Sequence, residues 1–234
     1  MASVDPELIL KQFELSKGDD PHIFGGECLK VASEIETNYR KSTYDHRPFL
    51  PNFEEDSPFY LEQYRIGYAC FKREVAKVLK PKIIVEIGVG IGIAALAMMD
   101  GSPQSSYFGI DNDEYVFPVS PAIIPTQFVS GWMDAKSYPF HIVVNDSQQM
   151  EKIPFCDLVH VDGDHRREAA RNDVGLAWRS EAKWILCDDA RDAEVVAGIF
   201  EALALDLKRG SVDWAYFGDT WTGSILIRTD HRKG

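Results

Sequence analysis

From about residue 57 onward, the apolar positions switch repeatedly between two periods. Runs beginning at Ile83, Tyr107, His141, Cys156 and Trp184 are short and rich in β-branched residues, as buried strands are. Between them lie stretches with apolar residues at helical spacing. The first long one starts at Ser57-Pro58, carries Tyr60, Leu61, Tyr64, Tyr68, Phe71, Val75 and Val78, and stops before Pro81. Its aromatic residues are expected in the core, with Gln63 and Tyr64 as the two that reach toward a ligand. Residues 114 to 139 hold four prolines, so only a short helix, about 124 to 134, is expected there. A helix from about 193 to 207 precedes two strands, 213–217 and 223–228, whose turn places Trp221 at the surface. This alternation predicts an α/β domain over 57–234.

Residues 1–56 follow a different pattern. Asp5-Pro6 opens one helix that ends at Gly18, and a second runs from about Gly26 to Arg40, with turn-rich pieces after each. This segment reads as a helical appendage, either a lid over a cleft or a contact in a homo-oligomer.

The densest chemical signal is Glu86-Ile87-Gly88-Val89-Gly90-Ile91-Gly92, between the strand at Ile83 and an Ala- and Leu-rich helix. Glycines at alternate positions make a tight turn that lets backbone approach a ligand, and the helix N-terminus beyond it offers free N–H groups. The spacing differs from the G-x-G-x-x-G that seats a pyrophosphate, and Glu86 would repel a phosphate. A cationic ligand fits better. This stretch resembles the first motif of class I S-adenosylmethionine-dependent methyltransferases, which implies Glu86, Gly88, Gly90 and Gly92 at the cofactor.

Asp111 ends the second strand, where a carboxylate accepts ribose hydroxyls; as part of Asp111-Asn112-Asp113 it also reads as a solvated turn. Asp146, just past the third strand, meets the adenine amino group if the resemblance holds, or makes an Asx-turn. The carboxyl ends of the next two strands bring Asp162, Asp188 and Asp189 toward one crevice. Three adjacent carboxylates need protonation, solvent or a cation, and oxygen ligands favour Mg²⁺, Mn²⁺ or Ca²⁺. The alternative is that Asp188 and Asp189 cap the following helix.

Asp162-Gly163-Asp164-His165 and the acidic pair together resemble the methyltransferase-24 group, over about residues 82 to 228. The chain lacks the usual Pro-Gly-Gly turn before the fifth strand, having Ser180-Glu181-Ala182-Lys183. The resemblance implies a Rossmann-like, seven-stranded, mostly parallel sheet with helices on both faces and an antiparallel C-terminal hairpin. It implies Asp162, Asp188 and Asp189 as Mg²⁺ ligands, Asp162 also beside the cofactor, and His165 as general base. The expected activity is methyl transfer from S-adenosylmethionine to a hydroxyl of a small molecule, a sugar or other natural product. A metal-independent N- or C-methyltransferase and a non-catalytic S-adenosylmethionine-binding protein are the alternatives.

Composition narrows the partners. A net charge of -12 over 234 residues disfavours a nucleic-acid surface and leaves a small-molecule acceptor. Cys28, Cys70, Cys156 and Cys187 lack metal-ligand spacing and read as reduced thiols of a cytoplasmic protein. No stretch has the apolar length of a membrane span.

Overall fold

The computed structural model describes residues 23–24, 26–49, 57–114, 124–209 and 212–229. The helix expected at 5–18 lies outside them. One sheet organises the rest, from strands β1 (Ile23–Phe24), β2 (Ile83–Ile87), β3 (Ser106–Asp111), β4 (Phe140–Val144), β5 (Leu158–Val161), β6 (Trp184–Cys187), β7 (Asp213–Phe217) and β8 (Ser224–Arg228). Their order is β1-β7-β8-β6-β5-β2-β3-β4. Strands β2 to β6 are parallel, β8 runs antiparallel between β6 and β7, and the expected seven strands gain a two-residue edge, β1, antiparallel to β7.

Helices α1 (Gly26–Tyr39), α2 (62–79), α3 (Ile93–Gly101), α4 (Pro125–Ala135), α5 (Arg167–Arg179) and α6 (Ala193–Arg209) complete the described architecture. Strand alternation sorts the core into two layers. Val85, Ile87, Val159, Val161, Ile185 and Cys187 point to α5 and α6, where Val174, Leu176, Ile199 and Phe200 meet them. Ile84, Leu158, Leu186 and Leu226 point the other way, onto residues of α1, α2 and α3 such as Ile35, Phe71, Val75 and Met98.

Helix α1 belongs to the appendage in sequence, yet it is seated in that second layer. Cys28, Ala32, Ile35 and Tyr39 recur at helical spacing and are all buried. Tyr39 meets Phe71 edge to face at 5.4 Å.

Helix α2 departs from expectation at its start. Pro58–Tyr60 is a separate 3₁₀ turn, Leu61 is extended, and the Ser57 side chain makes no capping bond. The Phe59 carbonyl accepts from His46 Nε2 at 2.8 Å, so it is not free to open a continuous helix. Within α2, Glu62–Tyr64 and Phe71–Leu79 are α-helical and Arg65–Cys70 is π-helical. A π-turn releases a carbonyl from the helix ladder. Gly67 uses its own to accept from Trp221 N at 3.1 Å, and a Cβ at Gly67 would lie 2.9 Å from that nitrogen. Trp221, expected at the surface, is therefore half-buried against α2, with its ring 5.3 Å from that of Tyr64. Among the described residues no helix is long and apolar enough to cross a membrane.

Because α1 shares the sheet's core, Ile35→Ala is expected to lower global stability by about 2–5 kcal/mol. Chemical denaturation should show this as one cooperative transition shifted to lower denaturant. An unchanged main transition would mean that α1 is stabilised separately from the sheet.

Candidate active site

Chain order reverses between β2 and β5, with β3 and β4 to one side and β6 to the other. The crevice at such a switch point is where open α/β sheets bind ligands. A cavity of about 750 Å³ opens there, lined by the loop from Gly88 to Ile93, by Asp111, Asp146, Asp162, His165 and Asp189, and by Tyr64, Tyr68 and Trp221.

The glycine loop is dictated as much by the protein's own backbone as by a ligand. Gly88, Gly90 and Gly92 all have positive φ, at 82°, 52° and 74°. A Cβ on Gly88 would overlap the Asp162 carbonyl, and one on Gly92 would overlap the Val129 side chain. Close contact between the β2 and β5 loops thus depends on Gly88.

Asp111 fixes this loop from the neighbouring strand. Its Oδ2 accepts from Val89 N at 2.7 Å and Gly90 N at 3.0 Å, and its Oδ1 accepts from Asp113 N at 2.8 Å. A carboxylate has about four lone-pair sites, so roughly one remains for a ribose hydroxyl. Asp146 makes the Asx-turn, accepting from Gln148 N at 2.9 Å, and it lines the cavity as well. Each carboxylate therefore makes its turn contacts and also lines the cavity.

Glu86 does not line the cavity, which corrects the expectation of ligand contact. Alternation along β2 puts it on the same face as Ile84, beneath α2, with its side chain 1% exposed. One oxygen accepts from the Tyr107 hydroxyl, and the other faces His160 Nδ1 at 2.8 Å. His160 Nε2 lies 3.4 Å from Asp188 Oδ2. Asp188 Oδ1 is paired with the Lys72 ammonium and also accepts from Ser224 Oγ at 2.8 Å. A buried chain thus runs Tyr107, Glu86, His160, Asp188, Lys72.

Burial alone would raise the Asp188 carboxyl, but Lys72 and His160 hold it well below the usual range. Burial and Lys72 push the His160 imidazole down, yet Asp188 and Glu86 outweigh them and bring it up to about 9. Lys72 is the residue of this chain of contacts that motif reasoning missed, while His160 in its strand is a buried, paired core residue. Lys72 sits four residues after Tyr68 and in step with it, a cation in an apolar stripe, and that position was a readable signal.

The three expected metal ligands divide between two groups that share Asp162. Asp162 accepts from the Tyr68 hydroxyl at 2.7 Å, and burial together with Asp188 and Asp189 raises its carboxyl well above the usual range. Asp189, in left-handed backbone at φ 55°, lies 3.0 Å from His165 Nε2. That bond raises the His165 imidazole to about 9, against a smaller effect of burial. Ligand atoms of Asp162, His165 and Asp189 all lie within 4.8 Å of one another, and so do those of His160, Asp162 and Asp188. Asp162 and Asp189 face the cavity and fit a divalent cation. Asp188 has only Oδ2 left for one, a buried atom with no hydrogen-bond partner.

Beneath the Asp146 and Gln148 side of the cavity, Asp173 of α5 accepts from Gln148 Nε2 at 2.9 Å, while its Oδ2 is buried without a partner. Burial raises its carboxyl to about 6, above the ordinary 3.8. A carboxyl raised on folding contributes stability that is full below the unfolded value and is lost as pH rises through about 6. Asp173→Asn keeps the oxygen that Gln148 uses and removes the charge. It should be more stable than the wild type at pH 7.5 in urea melts, with the gap closing at pH 4.5; a gap that is constant with pH would contradict this account.

Comparison with known proteins agrees with this geometry. Residues 85–190 match the model of the methyltransferase-24 family, described as a methyltransferase domain. Among curated proteins the chain has no match. Solved structures share its architecture at low identity. An O-methyltransferase from Bacillus cereus, in complex with S-adenosylhomocysteine, is 13% identical with a TM-score of 0.53, over 96% of this chain and 100% of that one. TomG of Streptomyces achromogenes, an O-methyltransferase of tomaymycin synthesis in complex with S-adenosylmethionine, is 12% identical with a TM-score of 0.52, over 97% and 99%. The Podospora anserina methyltransferase PaMTH1, bound to S-adenosylhomocysteine, is 15% identical with a TM-score of 0.50, over 98% and 99%. Residues 85–190, which hold the glycine loop and every carboxylate of the acid cluster, thus match a methyltransferase-domain family model, and the chain as a whole shares the fold of solved S-adenosylmethionine-dependent methyltransferases.

Proposed function

We propose that this protein transfers a methyl group from S-adenosylmethionine to a hydroxyl of a small molecule, a sugar or other natural product, with a divalent cation such as Mg²⁺ and with His165 as base. The observation that carries the reading is the single cavity that joins the glycine loop at one end to Asp162, His165 and Asp189 at the other. Neighbouring folds that hold S-adenosylmethionine or its product, two of them named O-methyltransferases, support it. The acidic lining disfavours a phosphate-bearing cofactor and a nucleic-acid acceptor. Four free, buried cysteines suit a reducing compartment such as the cytoplasm.

The chain's own residues divide the work. The remaining Asp111 lone pair holds the ribose over the close-packed glycine loop, whose N–H groups at Gly88, Val89, Gly90 and Gly92 are bonded within the protein, and Asp146 and Gln148 border the base. S-adenosylmethionine, when bound, supplies a methyl group already activated by the sulfonium. The acceptor must be lined up with that methyl, and orientation of this kind is worth on the order of 7–11 kcal/mol. Tyr64, Tyr68 and Trp221 form the wall that excludes water beside the acid cluster. His165 gives its Nε2–H to Asp189, which leaves Nδ1 as the atom that accepts the hydroxyl proton. A divalent ion held by Asp162 and Asp189 would lower the acceptor's pKa and relieve His165 of its ion pair, so that the imidazole is neutral when needed. Metal-independent transfer is the second reading, and the Lys72 ammonium already present at Asp188 is the observation that favours it.

Release of S-adenosylhomocysteine from a panel of hydroxylated acceptors tests the proposal. His165→Ala should slow turnover by roughly 10²–10⁴-fold and leave cofactor affinity within about twofold. A loss of affinity as large as the loss of rate would remove His165 from the base role. Chelation should abolish turnover, and activity that survives it unchanged would select metal-independent transfer.

A further inference from the structure

Helix α2 sends two donors, four residues apart, into the acid cluster. The Tyr68 hydroxyl binds Asp162, and the Lys72 ammonium binds Asp188. The Lys72 side chain is completely buried, and its Nζ lies 5.1 Å from the centroid of the Tyr68 ring and 5.4 Å from that of Phe71. These rings attract a cation, so the ammonium sits in a built site with a carboxylate on one side and aromatic faces around it. Ser224 donates to the same Asp188 oxygen. Across the cluster the imidazole of His160 faces the other Asp188 oxygen.

A carboxylate flanked in this way already has its counter-cation. A divalent ion at Asp188 Oδ2 would face the ammonium across one carboxylate and the His160 ring beside it, and like charges so placed repel. Of the two cations, only one from solvent can leave cheaply. Lys72 withdrawn from Asp188 would be a charge stranded in an apolar wall, which is costly.

We infer that Lys72 is the resident cation of this cluster: it takes the place of a metal ion at Asp188, so that a divalent ion engages Asp162 and Asp189 without Asp188. The division of roles deepens the proposed function and rests on its divalent-ion reading. Asp188 then serves as the buried counter-charge of Lys72, while Asp189 beside it lines the cavity. Of the three acids, Asp189 alone is turned to an exposed partner, His165.

Uptake of Mn²⁺ by the full-length protein, read from the loss of the free-ion electron paramagnetic resonance signal, tests this without any acceptor. Calorimetric binding of S-adenosylmethionine serves in parallel as the control for an intact domain. Wild type and Asp188→Asn should take up Mn²⁺ with affinities within about twofold of one another, whereas Asp189→Asn should weaken uptake at least tenfold. Lys72→Met, which frees Asp188, should tighten uptake at least tenfold. Asp188→Asn that loses uptake as severely as Asp189→Asn, or Lys72→Met with unchanged affinity, would overturn the inference. Should Lys72→Met fail to fold, the comparison of wild type with Asp188→Asn makes the same decision. Absence of uptake by the wild type, with cofactor binding intact, would contradict the divalent part of the proposed function instead. In that case uptake gained in Lys72→Met supports Lys72 as the substitute cation, and no gain refutes it.

Discussion

Charge buried at the carboxyl ends of the strands is the constraint on which the rest of this structure depends. Lys72, Asp188, His160 and Glu86 are all sealed from solvent, and none could be tolerated without the next. Breaking a buried pair by removing one partner typically costs about 3–5 kcal/mol. The chain of contacts crosses from α2 through β6 and β5 to β2, and Tyr107 extends it to β3. It fixes the relative heights of the strand ends that support the glycine loop on one side and the acid cluster on the other. Positioning in the cavity above is therefore inherited from pairing in the layer below.

Helix α2 is the second determinant. Its π-turn leaves the Gly67 carbonyl free for Trp221, and so docks the β7–β8 turn over the cavity. The same stretch stacks Tyr64 on Tyr68 at 4.8 Å between ring centroids. One irregular helical segment thus supplies the aromatic wall, a hydroxyl for Asp162 and an ammonium for Asp188.

Much of this was legible in the sequence, for physical reasons that differ by element. Strands β2 to β6 are short apolar runs, and the hairpin of β7 and β8 has a clear turn between two such runs. The glycine loop was legible because positive φ leaves its mark directly on residue type. Asp162, Asp188 and Asp189 were expected to converge because parallel strands end on one edge; Asp162 is grouped with each of the other two, but Asp188 sits with His160 and Asp189 with His165. Their division of labour was not legible, since it depends on Lys72 from a helix 116 positions earlier in the chain. Glu86 was assigned to the ligand from its place beside the glycines, although its parity with Ile84 already put it on the face under α2. The π-turn and the docking of Trp221 have no local signature, because each exists through the other.

The central claim is that the cavity over the glycine loop receives a sulfonium nucleoside and no pyrophosphate. Calorimetric titration of the purified protein with S-adenosylmethionine, set against NAD under the same conditions, tests it most directly. The account predicts saturable binding of S-adenosylmethionine and none of NAD. Binding of NAD, or of neither, would contradict it and would mean that Gly88, Gly90 and Gly92 serve the packing of the strand ends alone.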